Sequence, residues 1–182
     1  MQDRIFLCEK PHFVIQGEGK NIGKKMVLLR TFGCPLQCPD CDSKHTWSGE
    51  KGEYDLKSFF RIIKKYTKKF NTNHILLTGG EPSLYVEFLT EFFKKYQDKN
   101  EWEWDIESSG IYDFSNLYEW EHFIQFNFSP KVGALYIEKE FEWKAFENLP
   151  SQYIIKVVTS KDTFNEDLLK IKELQIKYNI ED

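Results

Sequence analysis

Apolar runs of strand length alternate with amphipathic stretches of helical length along most of this chain, and every run ends in a short polar loop. Met26 to Phe32 is the first run. Between Asp55 and Phe70 the apolar residues Leu56, Phe59, Phe60, Ile63, Tyr66 and Phe70 recur at helical spacing, with Asp55 placed to cap the N-terminus. His74–Thr78 predicts a second strand, Gly79-Gly80-Glu81-Pro82 a sharp exit, and Ser83–Tyr96 a second helix. Trp102–Glu107 runs into Ser108-Ser109-Gly110, and Phe123–Phe128 into Ser129-Pro130-Lys131. Tyr153–Val158 is the fifth strand, followed by a helix over Thr163–Tyr178 that carries Phe164, Leu168, Leu169, Ile171, Leu174 and Ile176. A shorter strand from Phe13 leads into the hinge Gly17-Glu18-Gly19. Such alternation specifies an α/β fold with a mostly parallel sheet covered by helices. In sheets of this kind, functional groups gather beyond the carboxyl ends of the strands.

A chain of 182 residues buries one core, so residues 1–182 are expected to form a single domain. With 41% hydrophobic and 30% charged residues, it has the composition of a globular protein and not of a disordered one. Its formal charge of −4 supplies no global attraction to nucleic acid or to an anionic membrane. Asp3, Arg4, Glu9 and Lys10 interrupt any export-type apolar stretch, and no run approaches membrane-spanning length. The cytoplasm is therefore the expected compartment, with no direct nucleic-acid or membrane partner. In that reducing setting, clustered cysteines are metal ligands or reactive thiols more often than disulfides.

The clustered cysteines follow the first strand. Cys34, Cys38 and Cys41 stand in the pattern Cys-x3-Cys-x2-Cys, on a loop stiffened by Pro35 and Pro39. Thiolates suit iron–sulfur clusters, zinc or Cu(I), and a cubane cluster or a structural zinc ordinarily takes four protein ligands. Three ligands leave one iron open, where the amine and carboxylate of S-adenosylmethionine could bind. The spacing resembles the cluster loop of radical S-adenosylmethionine enzymes. It also permits a zinc site, Cys-x3-Cys-x2-Cys-x3-His, closed by His45. Cys8 is either a distant fourth ligand of an electron-carrying cluster or a small buried hydrophobe.

Several signatures occur together: Gln16-Gly-Glu-Gly19, Arg30, the loop Cys34 to Cys41 with Asp42-Ser43, Thr78-Gly-Gly-Glu-Pro82, Glu107-Ser-Ser-Gly110 and Ser129-Pro-Lys131. In order and spacing they resemble the 7-carboxy-7-deazaguanine synthase family of radical S-adenosylmethionine enzymes. That resemblance implies a carbon–nitrogen lyase that contracts 6-carboxy-5,6,7,8-tetrahydropterin to 7-carboxy-7-deazaguanine with loss of ammonia, in queuosine-type 7-deazapurine biosynthesis. It implies a 4Fe-4S cluster on Cys34, Cys38 and Cys41, with S-adenosylmethionine held by Gly79, Gly80, Glu81, Ser129, Lys131 and Lys156. Substrate contacts fall to Ile15, Gln16, Gly17, Arg30, Thr78 and Glu107, and a magnesium ion to Ser43, where the family usually has threonine. A reductant such as flavodoxin or ferredoxin and a homodimer are further expectations. No protein side chain is assigned a catalytic role beyond the cluster-bound cofactor.

The fold implied is a partial (β/α)6-like radical S-adenosylmethionine barrel, shortened at its C-terminal end. Relatives carry a further strand with a Gln-Pro segment, whereas here the fifth strand–helix unit ends the chain. Asp40 replaces an aromatic residue that packs near adenine in relatives, and Trp47 is the candidate to cover that region. Two other readings stay open: an activating enzyme for a glycyl-radical partner, and a non-catalytic zinc-binding module.

Overall fold

The computed structural model describes residues 3–132 and 141–180. Its centre is five parallel strands, β3 (Lys25–Thr31), β5 (His74–Gly79), β6 (Glu103–Ser108), β7 (Ile124–Phe128) and β8 (Tyr153–Ile155), hydrogen-bonded in that order. Three antiparallel strands extend the β3 side: β2 (His12–Ile15) and β1 (Ile5–Leu7) pair with β3, and β4 (Gly52–Tyr54) pairs with β1. The helices are α1 (Leu56–Phe70), α2 (Val86–Tyr96) and α3 (Phe164–Tyr178). The sheet is open: β4 and β8 are its two ends, and no pairing closes it into a barrel among the described residues.

The sheet has two unlike faces because side chains alternate along a strand. Val27 and Leu29, Ile75 and Leu77, Trp104 and Ile106, and Phe126 and Phe128 point to the helical side and are fully or almost fully buried. There Phe59 of α1 meets Phe88 and Phe92 of α2 edge-on, with ring centroids 5.5 and 5.0 Å apart. Each such ring removed from water contributes about 1.5–3 kcal/mol, so this layer holds the strands in place. Asp55 caps α1 as expected, its Oδ1 accepting from Ser58 N at 2.7 Å. Buried Gln97 closes the α2–β6 turn: its Nε2 donates to Trp102 O at 2.7 Å and its Oε1 accepts from Trp104 Nε1 at 2.9 Å.

Two sequence expectations change. The second helix begins as a 3-10 turn over Pro82–Tyr85 before α2, because Pro82 stands at its first position. Between β6 and β7 the aromatic stretch forms a 3-10 segment, Ser115–Phe123. The fifth strand ends at Ile155 and not at Val158, which is half-exposed. α3 packs through Leu174 and Tyr178, whose hydroxyl accepts from Trp143 N at 2.9 Å, while Phe164, Leu169 and Ile176 remain outside.

Candidate active site

The other face of the sheet is polar, and strand register arranges it in rows. Arg30 pairs with Thr78, Thr78 donates to the Glu107 carboxylate, and Glu107 pairs with Asn127, so one row crosses β3, β5, β6 and β7 near their carboxyl ends. The row beneath runs Leu28, Leu76, Asp105, Gln125. The β2–β3 connection lies over these rows. Gln16, 3% exposed, donates from Nε2 to Asp105 Oδ2 at 3.0 Å and to Glu107 Oε1 at 3.4 Å, while its Oε1 accepts from Gly17 N at 2.9 Å. Asn21 Nδ2 donates to the second Asp105 oxygen. Gln16 thus braces the loop through its side chain, and Gly17 and the Ile15 side chain face outward.

The cysteine loop leaves the carboxyl end of β3 at the rim above. Leu36 N–H and Gln37 N–H point at the Cys34 sulfur, and Ser43 N donates to Cys41 Sγ at 3.3 Å. Amides aimed at sulfur stabilise an anionic cluster. Burial pushes the Cys34 and Cys38 thiols up, and the nearby Lys131 charge draws Cys38 back down. Metal binding there must therefore displace protons.

Next to it, the Gly79-Gly80 exit presses against the start of the same loop. A Cβ on Gly80 would stand 2.0 Å from Gly33 O, and one on Gly79 2.3 Å from Thr31 N, with Gly79 at φ +122°. Only glycine permits that approach, which is locked by Gly80 N–H donating to Thr31 O and Glu81 N–H to Gly33 O, both at 2.8 Å.

Glu81 is differently placed from the expectation of a carboxylate turned to a bound ammonium. It is 1% exposed, and its two oxygens accept from Ser83 N at 3.0 Å, Ser108 Oγ at 2.6 Å, Ser109 N at 2.9 Å and Ser109 Oγ. A carboxylate has about four acceptor positions, and all are taken. The side chain ties the end of β5 to the end of β6.

Ser129 and Lys131 follow β7 on the same rim, with Lys131 Nζ donating to Ser129 Oγ at 3.0 Å. Lys156, just past β8, forms an ion pair with Glu18 of the covering loop. Burial opposes ionisation of Glu18, but the hydrogen bond and charge of Lys156 outweigh it and hold this carboxyl below its usual range. For Glu107, burial prevails over the Lys156 charge, and hydrogen-bonded Glu18 adds to the rise. Glu18 thus ionises more readily than an ordinary carboxyl, and Glu107 keeps its proton to higher pH.

Arg30 donates from Nε to Glu9 Oε1 at 2.8 Å and from Nη1 to Ser43 Oγ at 3.3 Å, which joins the strand row to the cysteine loop. Asp40 is exposed, and Trp47 is half-buried with a buried indole N–H that has no partner.

The zinc site closed by His45 is not formed. Among the described residues, the ligand atoms of Cys8, Glu9 and His45 lie within 4.8 Å of one another, and no such group includes Cys34, Cys38 and Cys41. A tetrahedral zinc with Zn–S bonds of about 2.3 Å needs sulfurs about 3.8 Å apart. The three loop sulfurs do not all lie within 4.8 Å of one another.

Residues 15–157 match the protein family described as a 4Fe-4S single cluster domain. Over 176 residues the chain is 30% identical to the 7-carboxy-7-deazaguanine synthase of Aquifex aeolicus, covering 95% of this chain and 73% of that protein. It is 28% identical over 167 residues to the enzyme of the same name from Clostridium acetobutylicum, covering 91% and 72%. The chain belongs to the 7-carboxy-7-deazaguanine synthase family. The crystal structure of QueE from Escherichia coli shares its fold, with a TM-score of 0.72 at 22% identity over 95% of this chain and 78% of that one. Its shared mixed α/β fold agrees with the mostly parallel sheet. No helix among the described residues is long and apolar enough to cross a membrane.

Within this frame, the residue that sequence reasoning missed is Asn127. It is fully buried on β7, directly beside Glu107, and neither its Nδ2 nor its Oδ1 has a hydrogen-bond partner. Gly19 of the covering loop lies against it, where a Cβ would stand 2.9 Å from Asn127 Oδ1. Its only sequence signal was an amide inside the apolar run Phe126-Asn127-Phe128, where an inward polar residue on a strand needs a partner.

Proposed function

We propose that the chain catalyses the reaction its relatives' name describes, formation of 7-carboxy-7-deazaguanine from 6-carboxy-5,6,7,8-tetrahydropterin with release of ammonia. The observation that carries this reading is the row Arg30–Thr78–Glu107–Asn127, built across four strands directly beneath the loop of Cys34, Cys38 and Cys41. It sets a cation, a hydroxyl, a protonatable carboxyl and an amide along one line, which suits a flat heterocycle with a carboxylate at one end and an amino-lactam edge at the other. Arg30 faces the carboxylate; Glu107, Thr78 and Asn127 face the ring edge. The backbone of Ile15 and Gly17 adds contacts from the covering loop, with Gln16 fixing its height.

Cys34, Cys38 and Cys41 would hold a 4Fe-4S cluster, which when bound would supply one-electron reductive cleavage of S-adenosylmethionine. The chain's own contribution is position and exclusion of water. The backbone of Gly79 and Gly80, held in place by Glu81, would meet the cofactor's amine, with Ser129, Lys131 and Lys156 along the same rim. Ser43 would offer magnesium one hydroxyl oxygen, in keeping with a hard cation that takes oxygen ligands and keeps several waters. A cytoplasmic homodimer reduced by a flavodoxin or ferredoxin completes the proposal.

The test is anaerobic reconstitution followed by incubation with S-adenosylmethionine, a reductant and the carboxytetrahydropterin. Chromatographic appearance of 7-carboxy-7-deazaguanine is the expected result. A protein that cleaves S-adenosylmethionine but leaves the pterin unchanged refutes the substrate assignment, and one that acquires no iron and sulfide refutes the cofactor assignment.

A further inference from the structure

We infer that Cys8, Glu9 and His45 form a second metal site, for a single divalent ion of the zinc class, separate from the cysteine loop. Their three ligand atoms lie within 4.8 Å of one another, and they come from two segments distant in sequence. Cys8 and Glu9 follow β1, where Cys8 N donates to Arg30 O at 3.0 Å and Cys8 Sγ to the same carbonyl at 3.4 Å. His45 belongs to the 3-10 turn Lys44–Thr46, which is held by Thr46 N donating to Ser43 O at 2.9 Å and Gly33 N to Thr46 O at 2.7 Å. Both segments are therefore anchored by backbone, leaving the side chains to adjust.

The donor set selects the ion. One thiolate, one imidazole and one carboxylate are a borderline-soft combination that suits Zn2+, whereas magnesium and calcium require oxygen alone. Binding exchanges the Cys8 thiol proton for the metal and releases it to water, so thiolate and carboxylate together neutralise the ion's two positive charges. That neutrality lets the site lie beside the Arg30 guanidinium without net repulsion.

A tetrahedral ion about 2.0–2.3 Å from each ligand needs ligand atoms about 3.3–3.8 Å apart. Rotation of the exposed His45 side chain closes the remaining gap and provides the entry path. The fourth position is open to water or a small anion. Occupancy has one built-in consequence: Glu9 now binds the Arg30 Nε at 2.8 Å, and drawing it onto the metal releases that edge of the guanidinium. Insofar as Arg30 binds substrate as proposed above, zinc at this site alters substrate affinity.

The test uses protein loaded with its iron–sulfur cluster, in which Cys34, Cys38 and Cys41 are occupied. After one equivalent of Zn2+ and desalting, metal analysis is expected to find one zinc per chain at unchanged iron. Cys8→Ser and His45→Ala are each expected to weaken zinc binding at least tenfold, also at unchanged iron. In parallel, Co2+ is added to a Cys34, Cys38 and Cys41→Ala variant whose fold is checked by circular dichroism. A thiolate-to-cobalt charge-transfer band is expected there, absent when Cys8→Ser is added. Zinc retention equal in wild type and Cys8→Ser overturns the inference, as does a cobalt band that persists without Cys8. Should the cluster fail to load, the cofactor reading fails while the cobalt arm still decides this site; should the alanine variant misfold, the cluster-loaded arm decides it.

Discussion

Replacing Glu81 by glutamine separates a structural role for this carboxylate from a cofactor-contacting one. Oε1 keeps its two bonds, from Ser83 N at 3.0 Å and Ser108 Oγ at 2.6 Å, now to a neutral acceptor. The other oxygen becomes an NH2 facing Ser109 N–H, which donates to it at 2.9 Å in the native protein. Two donors then oppose each other in a site only 1% exposed. Losing one hydrogen bond to a charged group costs about 1.5–3 kcal/mol, and the stranded amide adds to it, so about 3 kcal/mol is expected in total. For a chain of this size 1 kcal/mol moves Tm by about 2–4 °C, so Glu81→Gln is expected to melt about 6–12 °C below wild type. Thermal and urea unfolding of cluster-free protein measure this without S-adenosylmethionine present. If Glu81 instead served only to accept the cofactor's ammonium, the variant would unfold like wild type and lose only affinity for S-adenosylmethionine, and the argument from its four donors would be wrong.

Four further outcomes follow from the site. Gly80→Ala places a Cβ 2.0 Å from Gly33 O, backbone against backbone, and is expected to cost about 3 kcal/mol or more and to impair cluster loading; normal iron content and stability would refute the close-packing account. Asn127→Leu removes a fully buried amide without partners, so it is expected to stabilise the ligand-free protein by about 1–3 kcal/mol while raising KM for the pterin; unchanged kinetics would exclude Asn127 from the pocket. Because the Glu107 pKa is raised, its stabilising effect is full below the usual carboxylate range and is lost as pH rises through the folded value. Glu107→Gln is therefore expected to be more stable relative to wild type at pH 7 than at pH 4, and urea melts at the two pH values showing the reverse trend would refute the raised pKa. Ser43→Ala is expected to reduce magnesium stimulation of turnover with the cluster intact; an unchanged magnesium dependence would remove Ser43 from the ion's ligands.

The elements that could be read from sequence are those whose pattern is local. The five parallel strands and the three helices show their period within a dozen residues, and Asp55 announced its cap. β1 and β4 are three residues each and have no periodicity to detect; they exist because β1 pairs with β3 and β4 with β1. Ile176 is among the apolar residues of α3, yet it is 83% exposed, since periodicity marks a helix face without specifying what packs on it. The candidate site divides the same way. The cysteine spacing, the paired glycines and the polar strand ends were visible as motifs, whereas the saturation of Glu81, the isolation of Asn127 and the approach of His45 to Cys8 and Glu9 depend on neighbours many residues away.

The alternation of strand and helix, and with it the parallel sheet whose loops carry the thiols, is written locally, because apolar periodicity and short turns are properties of contiguous residues. Tertiary structure alone decided which polar groups meet: register set Arg30, Thr78, Glu107 and Asn127 in one row, and chain crossings brought Cys8 and Glu9 to His45. A side chain's chemistry is written in its residue, but its charge, its partners and its accessibility come from groups that only folding places beside it.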